Sequence, residues 1–87
     1  MRYVVLNGDA ITSKDGLYDA LEEHFELPDY FSRNLDSLND CLAGQELTVE
    51  IGNSEKLKEN LGGYGEKFLR MMRDLDKRNP TVTVIVK

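Results

Sequence analysis

Three short runs of strand-forming residues, Tyr3–Leu6, Leu47–Ile51 and Thr81–Val86, are separated by stretches of helical pattern, and no two of them are joined by a hairpin. Strands that are not connected by tight turns need crossovers, which favour a parallel sheet with right-handed connections. Asn7–Gly8 is a hairpin signal, but Ala10–Thr12 is too short to make a partner strand, so Asn7–Ile11 reads as a strand-to-helix loop.

Helical spacing fills the gaps. Thr12, Ser13 and Asp15 are candidate N-caps. Leu17, Leu21 and Phe25 then recur every four residues with Ala20 beside them, which predicts a helix to about Phe25. Leu27–Pro28 stops it, because the residue before proline is pushed out of the α region. A second helix is predicted over Asn34–Ala43, with Gly44 at its C-terminal end. Its Leu35, Leu38 and Leu42 face the core, with Cys41 near the same side. Asn53 or Ser54 caps a third helix to about Leu61, and Gly62–Gly63–Tyr64–Gly65 reads as a flexible joint. A fourth helix, Glu66–Lys77, carries Phe68, Leu69, Met72 and Leu75 on one side and ends at Asn79–Pro80. The fold expected is α/β, a three-stranded parallel sheet packed with about four helices. No repeat or linker divides the chain, so residues 1–87 read as one domain, with Met1 leading directly into the first strand.

A chain of 87 residues builds one core, with a total stability of roughly 4–13 kcal/mol. Nothing staples it: Cys41 is its single cysteine, and no Cys/His spacing suits zinc. The 16 acids outnumber the 11 bases, a net charge of −5. That balance repels nucleic-acid phosphates and anionic lipid and favours a basic partner. No apolar run reaches the ~18–20 residues of a membrane span, and a reduced, cytoplasmic protein is the simplest expectation.

Chemistry is sparse. His24, the single histidine, has no visible partner for general-base work and reads as a surface residue. Cys41 follows Asp40, which disfavours a thiolate, and free cysteine tends to be buried. The Gly62–Gly65 stretch lacks the spacing of phosphate loops. Arg70, Arg73, Lys77 and Arg78 alternate with Glu66, Asp74 and Asp76, which reads as a solvated face with several i,i+4 ion pairs. No catalytic residue, metal ligand or cofactor is expected.

One segment breaks a local rule. In the second helix Asp36 and Asp40 lie one turn apart, opposite the leucines, with no base between them on that face. Like charges at this spacing destabilise a helix, and Asp40 lies in the last turn, where an acid is unfavourable. A solvated face and a surface held out for a cationic partner both fit this pattern. Local rules tend to be broken where function requires it. Tyr30 and Phe31, in the preceding loop, supply two aromatics beside the charge, as interface hot spots do. A core role for one of the two is equally open.

The stretch Leu27–Pro28–Asp29–Tyr30–Phe31–Ser32–Arg33–Asn34–Leu35–Asp36–Ser37–Leu38–Asn39–Asp40–Cys41–Leu42–Ala43–Gly44 resembles the signature of the barstar family, inhibitors of the ribonuclease barnase. Val5–Leu6–Asn7–Gly8 and Thr81–Val86 agree with that family's first and last strands. The resemblance implies a barstar-like sheet of order 2-1-3, with the first strand in the middle, which would account for the apolar run Tyr3–Leu6. It also implies a mechanism in which the second helix and its preceding loop enter a basic, phosphate-binding groove. Asp40 matches an aspartate that takes a phosphate position and accepts charge-assisted bonds from arginine and histidine. Asp36 and Asp74 match further ion-pairing acids, and Tyr30 matches an aromatic that packs on the active-site histidine. The partner-binding residues implied are Tyr30, Phe31, Arg33, Asn34, Asp36, Asn39, Asp40, Ala43, Gly44 and Asp74. The partner that the resemblance implies is a basic, extracellular-type ribonuclease in a one-to-one complex, with the free inhibitor expected to be a monomer.

The chain departs from the family's pattern at several positions. Phe31 stands for a tyrosine, Asn39 and Gln45 for tryptophans, and Ala43 for a threonine. Arg33 replaces an acid, and is expected to pair with Asp29, with Asp36, or with an acid on a different partner. The segment between the second helix and second strand is slightly shorter. Together these changes point away from barnase and toward a different cognate ribonuclease. A second reading is a barstar-like interaction module that regulates another basic protein. A small enzyme would need turnover dependent on His24 or Cys41, which nothing in the sequence supports.

Overall fold

The computed structural model describes residues 2–87; the expected entry of Met1 into the first strand lies outside them. The chain runs β1 (Arg2–Asn7), a 3-10 turn (Gly8–Ala10), α1 (Lys14–His24), α2 (Leu35–Leu42), β2 (Leu47–Gly52), α3 (Ser54–Leu61), α4 (Gly63–Arg78) and β3 (Val82–Val86). Ser13 caps α1 by accepting the Gly16 N–H, and Asn34 caps α2 by accepting the Ser37 N–H. The expected helices and strands are all present. Their ends move by at most three residues, with the largest shift at α4.

That shift corrects the reading of the glycine stretch. Helix α4 begins at Gly63, and the break is confined to Gly62, whose φ of +60° turns the chain out of α3. Gly65 is buried inside the first turn of α4, where a Cβ would lie 3.0 Å from the Leu57 carbonyl oxygen. The glycines therefore let α3 and α4 approach closely; they are not a flexible joint. Tyr64, between them, packs edge-on against Tyr18 of α1, and the two hydroxyls share a hydrogen bond. Burial, reinforced by that bond, pushes the Tyr18 phenol well above its ordinary range.

All three strands are parallel, in the order β1-β2-β3. The expected order 2-1-3 is thus corrected: β2 is central. Its Leu47, Val49 and Ile51 are almost wholly buried, and they align with Val4 and Leu6 of β1 and with Val82, Val84 and Val86 of β3. On the other face, Tyr3 and Val5 are 60% and 52% exposed. The apolar run Tyr3–Leu6 belongs to an edge strand covered on one side only.

Crossover geometry explains the order. Two right-handed crossovers that step in the same direction lie on the same face of a sheet. The order 2-1-3 would reverse the second step and put the helices on opposite faces. With so few residues, that would divide one core into two. Instead the inner row of the sheet joins Leu17, Tyr18, Leu21 and Phe25 of α1 and its C-cap, Leu38 and Leu42 of α2, Leu57 of α3, and Phe68, Leu69, Met72 and Leu75 of α4 in one cluster. On the uncovered face, the Tyr3 hydroxyl donates to Glu50 at 2.6 Å and Lys87 lies 3.3 Å from the same carboxylate. These contacts hold Glu50 below the usual carboxylate range, the Tyr3 bond being the largest cause.

Candidate functional site

Helix α2 divides cleanly. Leu38 and Leu42 are fully buried, and Leu35 is half-buried against the same core. Asp36 and Asp40 are exposed. Among the described residues the ion pairs are Arg2–Glu26, Arg33–Asp19, Arg33–Glu22, Lys56–Glu59, Lys58–Glu55 and Lys87–Glu50, and neither aspartate takes part in one. Cys41 is half-buried and free, at the edge of the core rather than in it. Its carbonyl accepts from the Gln45 side chain, which also reaches the Glu26 carbonyl and ties the end of α2 to the segment after α1.

The preceding loop separates its two aromatics. Tyr30 is 79% exposed, while Phe31 is half-buried with its ring 6.0 Å from that of Tyr18. The core therefore takes Phe31 and leaves Tyr30 outside. The loop is held by local bonds: Phe31 N–H to the Pro28 carbonyl, Asn34 N–H to the Ser32 carbonyl, and Ser32 N–H to the Ser37 hydroxyl.

Arg33 departs from the two pairings expected within the chain. It meets neither Asp29 nor Asp36. Its guanidinium donates to Asp19 at 2.6 Å and, through two nitrogens, to Glu22 at 2.9 and 3.1 Å. Both acids are on α1, one turn apart on its exposed side, where a single cation can bridge them. A two-pronged arginine–carboxylate contact fixes orientation as well as charge. Arg33 thus fastens the loop to α1, and it holds Glu22 below the ordinary carboxylate range. Because the folded value is lowered, this contribution is complete above the ordinary pKa of about 4.3 and is lost as the pH falls through the folded one. Arg33→Ala is expected to speed amide exchange at Phe31 and Asn34 at pH 7 while leaving β2 protected. As the pH falls through the lowered Glu22 value, the parent should approach the variant. Hydrogen exchange followed by NMR reads both, and equal loop protection at pH 7 would show that the clamp is idle.

The remaining candidates separate by position. The Asn34 side chain is engaged as the cap of α2. Ala43 and Gly44 are exposed at the far end, Gly44 with a φ of +86°. Asp36 and Asn39 share a groove with Asp74 of α4, so three of the expected residues are brought together across two helices. Lys67, Arg70, Met71 and Arg78 line the same groove. The i,i+4 pairs expected along α4 do not form among the described residues: Asp76 instead accepts the Val84 N–H at 2.8 Å. Sequence reasoning read the α4 cations as a solvated face and did not place them in this groove. The signal was available in the spacing of Arg70, Asp74 and Arg78, which puts an acid between two arginines on one stripe.

No group of three or more His, Cys, Asp or Glu side chains among the described residues is arranged to hold a metal ion, and no helix among them is long and apolar enough to cross a membrane. His24 is exposed, and its carbonyl accepts from Arg2 at 2.7 Å.

A three-stranded parallel sheet packed with four helices is consistent with a barstar-like protein. The chain matches the family described as Barstar (barnase inhibitor) over residues 1–87, and it belongs to that family. It is also 34% identical over 77 residues to a Bacillus subtilis (strain 168) protein named "Putative ribonuclease inhibitor YrdF", a match covering 85% of each chain.

Proposed function

We propose that this protein inhibits a barnase-like ribonuclease by laying α2 and the loop before it into the enzyme's basic active-site groove. The observation that carries this reading is the exposure of Asp36 and Asp40, in none of the ion pairs among the described residues, on a helix whose opposite face is locked into the core. A groove built of arginine, lysine and histidine to hold RNA phosphates offers such carboxylates charge-assisted bonds. Asp40 takes a phosphate position, Asp36 adds an ion pair, and Tyr30, already exposed, packs on the active-site histidine. The helix and its loop are positioned before the partner arrives, so little ordering entropy opposes binding. The inhibitor is a plug that needs shape and charge and no chemistry of its own, which fits a non-enzymatic, cytoplasmic, one-to-one partner of a basic ribonuclease.

The departures at Phe31, Arg33, Asn39, Ala43 and Gln45 favour a cognate enzyme other than barnase itself. Titrating the protein into a panel of purified microbial ribonucleases, barnase included, tests the proposal. Stoichiometric loss of RNA cleavage is expected for at least one enzyme other than barnase. Retention of full activity across the panel, with a basic protein lacking ribonuclease activity co-purifying from the source cells, would instead establish an interaction module for another partner.

A further inference from the structure

The groove between α2 and α4 is not uniformly acidic. Its α2 side presents Asp36, and its α4 side presents Lys67, Arg70 and Arg78 around Asp74. Positions 67, 70, 74 and 78 form one stripe at helical spacing, turned toward α2. Arg73 and Lys77 lie on a neighbouring stripe, in a second groove with Lys58 of α3, and Arg70 and Asp74 border both grooves while Lys67 and Arg78 line only the one toward α2.

The charge distribution makes this stripe unusual for the chain. Helix α4 carries five of the 11 basic residues against three acids, so it is net positive, while the rest of the chain carries six bases against thirteen acids. None of the α4 cations forms an ion pair among the described residues. Of the three acids, Asp76 is engaged with the β3 backbone, and Asp74 is flanked by arginines one turn to either side. A wholly basic partner surface would be repelled along this edge.

Resting on the proposed inhibition, we infer that Lys67, Arg70 and Arg78 are specificity determinants that receive a carboxylate-bearing rim of the ribonuclease, beside the basic groove that receives Asp36 and Asp40. The partner that fits is therefore a basic enzyme whose active-site groove is bordered on one side by acids. Discrimination follows from charge sign: an enzyme without those acids meets like charge along α4, and a mispaired rim both slows encounter and rejects the wrong partner.

The sign of one substitution tests this. Parent, Arg70→Glu/Arg78→Glu and the control Arg73→Glu/Lys77→Glu, which carries the same change in net charge on the other stripe, are titrated against the ribonuclease panel with a fluorogenic RNA substrate. For the most tightly inhibited enzyme, reversal at 70 and 78 is expected to weaken inhibition about tenfold, while the control stays within about threefold. Arg70→Gln/Arg78→Gln, which leaves the end of α4 free of added acid, should weaken it in the same direction by less. Reversal that matches the control, or that tightens inhibition as relief of repulsion by a wholly basic partner would, overturns the inference while leaving the proposed function standing. Retardation of labelled single-stranded RNA by the parent also overturns it, since the stripe would then serve phosphate. If the parent inhibits no enzyme of the panel, the proposed function fails and the inference fails with it.

Discussion

Asp40→Ala is expected to weaken inhibition of the cognate ribonuclease by roughly 30-fold or more, the equivalent of at least about 2 kcal/mol for a hot-spot side chain. The argument rests on what the carboxylate does in each state. In the free protein Asp40 is exposed and unpaired, in the last turn of α2, where the helix dipole disfavours an acid. In the complex it would be enclosed among arginine and histidine, and its removal would leave those cations desolvated and without a partner. Truncating one member of such a pair acts mainly on dissociation. Stability should not fall, and the thermal midpoint of Asp40→Ala should equal or slightly exceed that of the parent. Inhibition kinetics and thermal unfolding of the same sample check both halves. Undiminished inhibition would remove Asp40 from the plug.

Leu38→Ala, on the opposite face of the same helix, should behave in the reverse way. Leu38 is 0% exposed and packs within the cluster joining the sheet to all four helices. Replacing a buried leucine by alanine loses transfer free energy and leaves a cavity, at a cost of about 2–5 kcal/mol. Against a total of roughly 4–13 kcal/mol, that is a large fraction. At about 4–8 °C per kcal/mol for a domain of this size, the midpoint should fall by at least about 8 °C. Chemical denaturation should show a lower midpoint with an unchanged slope. Well below the new midpoint, where the chain remains folded, inhibition should be retained far better than in Asp40→Ala, because the charge-bearing face is intact. A midpoint shift of only 1–2 °C would mean that α2 is not anchored through Leu38.

These two substitutions separate what local pattern shows from what packing decides. The alternation of leucine and aspartate along 34–43 is visible in sequence, because helical periodicity translates spacing directly into faces. For the same reason the strands, the helices and the cap at Ser13 were legible to within a few residues, whereas Asn34, read as the first residue of its helix, is the cap. The glycine stretch was misread because its meaning is an interhelical distance: Gly65 is small so that Leu57 and Leu61 can sit against it. The ion pairs along α4 were misread because i,i+4 spacing permits a contact without requiring it. There Asp76 found a backbone donor on β3 instead.

The sequence by itself determined the order and type of the elements, which face of α2 is acidic, and the resemblance carried by Leu27–Gly44. Those are short-range properties, set by residues three or four positions apart. Only the tertiary structure decided that β2 is the central strand, since both strand orders are compatible with the same elements and differ only in which face the crossovers cover. Only it brought Arg33 to acids 11 and 14 residues upstream, and Lys67, Arg70 and Arg78 to the groove beside Asp36. Charges on separate elements have no periodicity relating them. Their relative positions come from how the helices share a single core, and that packing sets an acidic helix beside a basic one.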